Sequence, residues 1–167
     1  MSELDLSDLV DEDSADAGPF HVIDASTWPL VQIRVQRAPL TNQEIDDFQA
    51  AFLAVLQVAE RGNPAAGVGP AKLFLLFNLD GIVQATFAQQ MRARSFIQAV
   101  RKSAETAIHA TALVTTSTLA RLVLMAVLSL QPLVSVNKTF DSNDAGLEWL
   151  RANQCRVSMG QPVVLDV

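Results

Sequence analysis

From Leu30 to Gln36 the side chains alternate, with Leu30, Val31, Ile33 and Val35 set against Gln32, Arg34 and Gln36. A period of two separates the faces of a strand, so this stretch predicts a half-buried strand near a sheet edge. Pro29 suits its first position, where a missing N–H does least harm. A shorter strand, Phe20–Asp24, precedes it. The period then changes: Ile45, Phe48, Phe52, Val55, Leu56 and Ala59 recur at helical spacing and define one buried stripe. Thr41 followed three residues later by Glu44 reads as a capping box, with Leu40 and Ile45 as a hydrophobic staple. Gly62 and Pro64 end this helix, and Gly62–Pro70 reads as a flexible surface loop.

Leu73–Leu79 is an almost unbroken apolar run, the pattern of a strand covered on both faces in a parallel sheet. Asp80-Gly81 ends it with turn chemistry. A second helix is predicted over Thr86–Lys102 and a buried strand over His109–Thr116. A third helix is capped within Thr115–Thr118 and ends at Pro132. Val134–Phe140 reads as the next strand. Asp141, with Asp144 three residues on, begins a last helix carrying Leu147, Trp149 and Leu150. The terminal Gly160–Val167 either adds an edge strand or trails. The order β-β-α-β-α-β-α-β-α predicts an α/β domain, a mostly parallel sheet of about five strands with four helices and right-handed crossovers.

Length changes little in this picture: 167 residues suit one domain, and half of them are hydrophobic. Charge changes more. The net charge is −6, but residues 1–16 hold seven acids and no base, which leaves 11 acids against all 12 bases in the rest. Residues 1–18 are therefore expected to be a disordered acidic tail, residues 19–154 the folded domain, and residues 155–167 an extension. Leu4, Leu6, Leu9 and Val10 stand among the acids, so the tail either keeps the chain soluble or folds as an amphipathic turn on a partner. A nearly neutral body without clustered bases argues against nucleic acid. The single Cys155 excludes an internal disulfide and points to a reducing, cytoplasmic setting. The acidic start does not resemble a signal peptide. The longest apolar stretch, Leu122–Leu128, falls far short of the ~20 residues that span a bilayer.

The element order, with three local phrases, resembles the STAS domain, and in particular its SpoIIAA-like branch, which is related to the CRAL-TRIO lipid-binding domains. The phrases are FNLDGI (Phe77–Ile82), ALVTTSTLARLVLMAV (Ala112–Val127) and KTFDSNDAGLEWL (Lys138–Leu150), within a likeness running from Phe20 to Asn153. The resemblance implies a single STAS-like domain acting as a signalling or protein-binding module. Members that act as antagonists of anti-sigma factors carry a phosphorylatable serine after an aspartate, at the start of the helix that follows the central strand. Here that pair falls near Thr86-Phe87, so the serine position holds a residue that cannot be phosphorylated.

Candidate chemistry is sparse. His21 and His109 lack evident catalytic partners, Cys155 sits beside Arg156 near the end of the chain, and no phosphate loop, metal-spaced cluster or nucleophile elbow occurs. No enzyme activity, metal or cofactor is expected. Three surfaces remain. Thr116, Ser117 and Thr118 with Arg121 could hold an anion at a helix N-terminus, or simply cap that helix. On the second helix Phe87, Met91, Arg94, Gln98, Arg101 and Lys102 gather on one side as a partner-binding face. The third helix is apolar nearly all round, so Leu124, Met125 and Leu128 must meet another helix, a second subunit or a lipid-like ligand. The expected function is a non-catalytic interaction module, as a homodimer or with a protein partner. The alternative is a carrier or sensor of a small apolar or lipid ligand.

Overall fold

The apolar run at the centre of the chain forms the middle strand of a five-stranded sheet. The computed structural model describes residues 18–36, 41–81, 86–130, 133 and 135–165, except the side chains of residues 123, 127 and 130. The expected tail (save Gly18), Leu40 of the staple and Pro132 lie outside them. The strands are β1 (His21–Thr27), β2 (Leu30–Val35), β3 (Leu73–Asn78), β4 (Ile108–Val114) and β5 (Val136–Phe140), and they lie side by side in chain order. β1 and β2 form an antiparallel hairpin across a cis Trp28–Pro29 peptide, and every later pairing is parallel. β1 is longer than the predicted Phe20–Asp24, because pairing with β2 carries it through a register shift to Thr27.

The helices are α1 (Asn42–Arg61), α2 (Phe87–Ala107), α3 (Thr118–Leu130) and α4 (Asn143–Ser158). Three successive right-handed crossovers stepping the same way along the sheet put α1, α2 and α3 on one face. α4 covers the other. Val31, Ile33, Leu73 and Leu75 point toward Phe52 and Leu56 of α1 and Val100 and Ala104 of α2. Their neighbours Leu30, Phe74 and Leu76, with Ala110, Ala112 and Val114, point toward Trp149 and Leu150 of α4. Both faces of β3 and β4 are thus covered, which is why β3 reads as continuously apolar, whereas β2 turns the half-buried Gln32 and exposed Arg34 to the α4 side.

Local signals explain most boundaries. Thr41 and Glu44 form the capping box of α1: the Glu44 N–H donates to Thr41 Oγ1 at 3.2 Å, and the Thr41 N–H to Glu44 Oε2 at 2.9 Å. Gly62 ends the helix with φ of 75°, and a Cβ there would lie 2.7 Å from the Val68 carbonyl oxygen. The segment after it, read as a flexible surface loop, lies at the surface and contains local structure. Residues Pro64–Ala66 make a 3-10 turn capped by Asn63, and Asn63 bridges to Val68. α2 carries a second capping box, Thr86 with Gln89, and runs on to Ala107 instead of stopping at Lys102. It passes straight into β4. α4 begins one residue later than expected, because the Ser142 hydroxyl, not Asp141, accepts the Ala145 N–H.

Two corrections concern the C-terminal end. Cys155 is an exposed residue inside α4, not beyond it, so the helix crosses the expected boundary at residue 154. The described residues after α4 add no strand to the sheet. They fold back against α4 instead. The Val164 N–H donates to Asn153 Oδ1 at 2.8 Å, and the Val164 carbonyl accepts from Asn153 Nδ2 and Trp149 Nε1. Lys138 Nζ donates to the Leu165 carbonyl at 2.8 Å. Asn153 is fully buried, and these bonds are the reason a polar side chain can be there.

Candidate functional site

α2 and α3 run parallel to each other over β3 and β4, and between them lies a cavity of about 290 Å³. Each helix contributes a row at a spacing of four, the rise that keeps side chains on one face. From α2 the row is Ala93, Ile97 and Arg101; from α3 it is Ala120, Leu124 and Leu128. The floor is Leu75, Phe77, Thr111 and Leu113, the residues of β3 and β4 that alternate toward this face. At the end where β3 finishes, Phe20, Val35 and Leu79 close the cavity as a small buried cluster.

The α1 side is walled by aromatic rings. Phe48 has Phe77 at 5.7 Å and Phe96 at 6.4 Å between ring centroids, both edge-on, and Phe52 stacked at 6.1 Å. Edge-on and offset pairs hold large rings in fixed positions, so this wall is rigid. Polar side chains occur at the margins. Thr111 is buried, and its hydroxyl and that of Ser135 share a hydrogen bond of 3.0 Å. Arg101 is exposed and, among the described lining residues, alone carries a charge.

The apolar surface of α3 therefore divides. Leu124 and Leu128 line the cavity, whereas Met125 points away with 60% of its surface exposed. Leu119 and Leu122 join Met125 to form an outward apolar row. The single sequence grouping Leu124–Met125–Leu128 thus belongs to two surfaces.

The second-helix grouping also separates. Phe87 is the most exposed large apolar residue described, at 77%, beside the Thr86 cap. Met91 sits instead over a shallow depression between α1 and α2 with Gln49, Arg92 and Phe96. There Arg92 pairs with Asp46 and donates to Asn42. Gln98 and Lys102 are exposed, Arg94 is half-buried, and Arg101 turns to the cavity margin. The extension of α2 to Ala107 also adds the exposed Glu105 one turn after Arg101 and dilutes the basic character of that side.

At the start of α3 the chain's own groups take the donors that an external anion would need. Asp80 Oδ1 accepts from the Thr116 N–H at 2.6 Å and from its hydroxyl at 3.0 Å. The Ala120 N–H donates to Ser117 Oγ, and the Ser117 N–H to Thr115 Oγ1. Arg121 donates to the Thr115 carbonyl, and Thr118 is exposed. These contacts are those of a cap. Asn78 plays a matching part at the end of β3, donating to Asn143 at 2.8 Å and accepting from the Asp80 N–H.

The histidines stand apart. The His21 ring packs between Phe20 and Phe48. His109 is the extra residue where β4 shifts register against β3, and its ring lies 5.3 Å from that of Phe74. Burial, and secondarily the nearby Lys72 charge, lower its pKa below the ordinary 6.5. Among the described residues no group of three His, Cys, Asp or Glu side chains could hold a metal, and no helix is long and apolar enough to cross a membrane. No family model matches the chain, and neither a curated protein nor a solved structure matches it.

Proposed function

We propose that this chain is a non-catalytic binding domain that holds a small apolar or lipid-like ligand between α2, α3 and the sheet. The cavity carries this reading. Protein interiors are close-packed, with few voids larger than a water molecule. A cavity of about 290 Å³ is about twice the ~150 Å³ apolar cavity that takes a benzene ring, and it is near the lower end of the range for small-molecule sites. A ligand of roughly ten to twelve non-hydrogen atoms would fill this volume, and a larger one would extend to solvent past Ala93 and Arg101, which line the slot and are exposed. The STAS-like resemblance read from the sequence is in line with such a role, since the branch that the element order and the Phe77–Ile82 phrase resemble is related to lipid-binding domains.

The second reading is a protein-interaction module. The exposed Phe87 and the row Leu119, Leu122 and Met125 favour it, because large apolar residues grouped on a surface mark contact sites. The two roles are compatible in one molecule, since the cavity and the outward row lie on different sides of α3.

The test uses N-phenyl-1-naphthylamine, a neutral fluorophore that brightens in apolar surroundings, together with native mass spectrometry of gently purified protein. Bright, saturable binding with one molecule per chain is expected. Ala93→Phe, which puts a ring into the slot from an exposed position, should abolish it without loss of helix signal. A dark probe and a clean ligand-free mass would overturn the reading.

A further inference from the structure

We infer that the ligand of this slot is an amphipathic monocarboxylate, with its body along Phe77 and Leu124 and its carboxylate at Arg101 and the Thr111–Ser135 hydroxyl pair. The inference rests on the cavity reading and adds the chemistry of the head group.

Three residues, one on α2, one on β4 and one just before β5, come to one height in the fold. α2 passes into β4 without a loop, so both can be measured from Ile108. Arg101 lies seven residues before it, about 10 Å back along the helix. Thr111 lies three residues after it, about 10 Å along the strand. Because α2 runs antiparallel to β4, the two sit level, Arg101 in the α2 row and Thr111 in the floor of the same cavity. Ser135 is brought to the same point by its 3.0 Å bond to Thr111. The opposite end of the cavity is closed by Phe20, Val35 and Leu79, with the neutral amide side chains of Gln89 and Gln90 beside them at the start of α2. The slot is therefore uncharged at that end and carries its one described charge, Arg101, at the other.

The polar end favours one negative charge. Arg101 makes no hydrogen bond or ion pair with another described residue, so its guanidinium is available. Two hydroxyls carry two hydrogens, and the bond between Thr111 and Ser135 uses one, which leaves one to donate. A guanidinium fork matches a carboxylate in geometry. No described lining residue is acidic, so nothing in the wall repels an anion. A single arginine balances a monoanion but leaves a phosphate dianion with surplus charge beside an apolar wall, which is costly.

Four ten-carbon competitors displacing N-phenyl-1-naphthylamine provide the test: decanoate, decanol, decylamine and decyl phosphate. Decanoate should bind about tenfold more tightly than decanol, the gain of one charge-assisted hydrogen bond. Decylamine should be weakest, and decyl phosphate weaker than decanoate. Arg101→Gln should reduce decanoate to the level of decanol and leave decanol unchanged, whereas Lys102→Gln, one residue away and outside the cavity, should change neither. Thr111→Val should weaken decanoate selectively. Equal binding of decanoate and decanol, or an unchanged preference in Arg101→Gln, would overturn the head-group assignment while the bound fluorophore still supports the cavity. A preference for decyl phosphate would replace the carboxylate with a phosphate. A fluorophore that never binds would remove the cavity reading itself.

Discussion

The two faces of the sheet are packed by opposite means. On the α4 face the strands present small side chains, Ala110 and Ala112, and the helix approaches closely at Gly146. A Cβ added there would be 3.2 Å from Leu76 and Val114 side chains and 3.4 Å from Ala112. One helix and the folded-back C-terminal segment cover the β3–β5 part of that face, and β1 and most of β2 are left polar or exposed there. On the other face three helices bring large residues, Phe48, Phe52, Phe77 and Phe96, and still leave a cavity. Space is determined by how closely helices can approach the sheet and not by the amount of apolar surface. Small residues permit contact, while bulky, rigid ones hold neighbouring helices apart.

One pair of substitutions would test this comparison most severely. Ala112→Leu adds the same atoms to the α4 face that Ala120→Leu adds to the wall of the cavity. Ala112 is completely buried with Gly146 against it, so its enlargement should cost about 1–3 kcal/mol or more in urea unfolding. Ala120→Leu should stay within ~1 kcal/mol of the parent, because the slot has room. Equal costs would show that the faces are equally full.

A smaller effect is expected at Asn153. Asn153→Leu leaves the Val164 N–H without its acceptor, at a cost of about 1–3 kcal/mol. Hydrogen exchange at Val164 should accelerate well beyond that of β4 amides. Retained protection would mean that the C-terminal segment is held by apolar contact alone.

His109 should give the smallest change. Its folded pKa lies below the unfolded value, so its contribution is complete above pH 6.5 and is lost as pH falls through the folded pKa. Melting temperature should decline between pH 7 and pH 5, and His109→Gln should flatten that part of the profile. A decline of the same size in the variant would assign it to other groups.

These contrasts also show what could be read from residues alone. The order of elements was legible because each signal is local: the Thr41–Glu44 capping box, the α1 stripe, and the double-sided apolar run Leu73–Leu79. The end of α2 was missed although Ala104, Glu105 and Ala107 favour helix, because no Gly or Pro separates the helix from β4 to mark where one ends and the other begins. The cavity had only an indirect signal, the surplus apolar surface of α3. Periodicity assigns a side chain to a face but does not say whether a neighbour fills the space opposite it. Leu124 and Met125 look alike in sequence, yet a rotation of 100° separates a cavity wall from open solvent. Arg101 illustrates the same point, since its base was evident and its direction was not. The role of Asp80 depends on Thr116, 36 residues away, and no local pattern encodes that pairing.

The described chain enters beside the cavity at Phe20 and leaves on the opposite side of the sheet, where Lys138 and Asn153 grip residues 164 and 165. The two described ends are therefore separated by the sheet. A bulky group joined directly at Gly18 would stand near the Phe20 end of the slot, while the same group joined directly at Leu165 would stand on the α4 side and leave the slot accessible. An immobilised form tethered by its C-terminal end would present α2 and α3 outward. A tether at the other end would turn them toward the support.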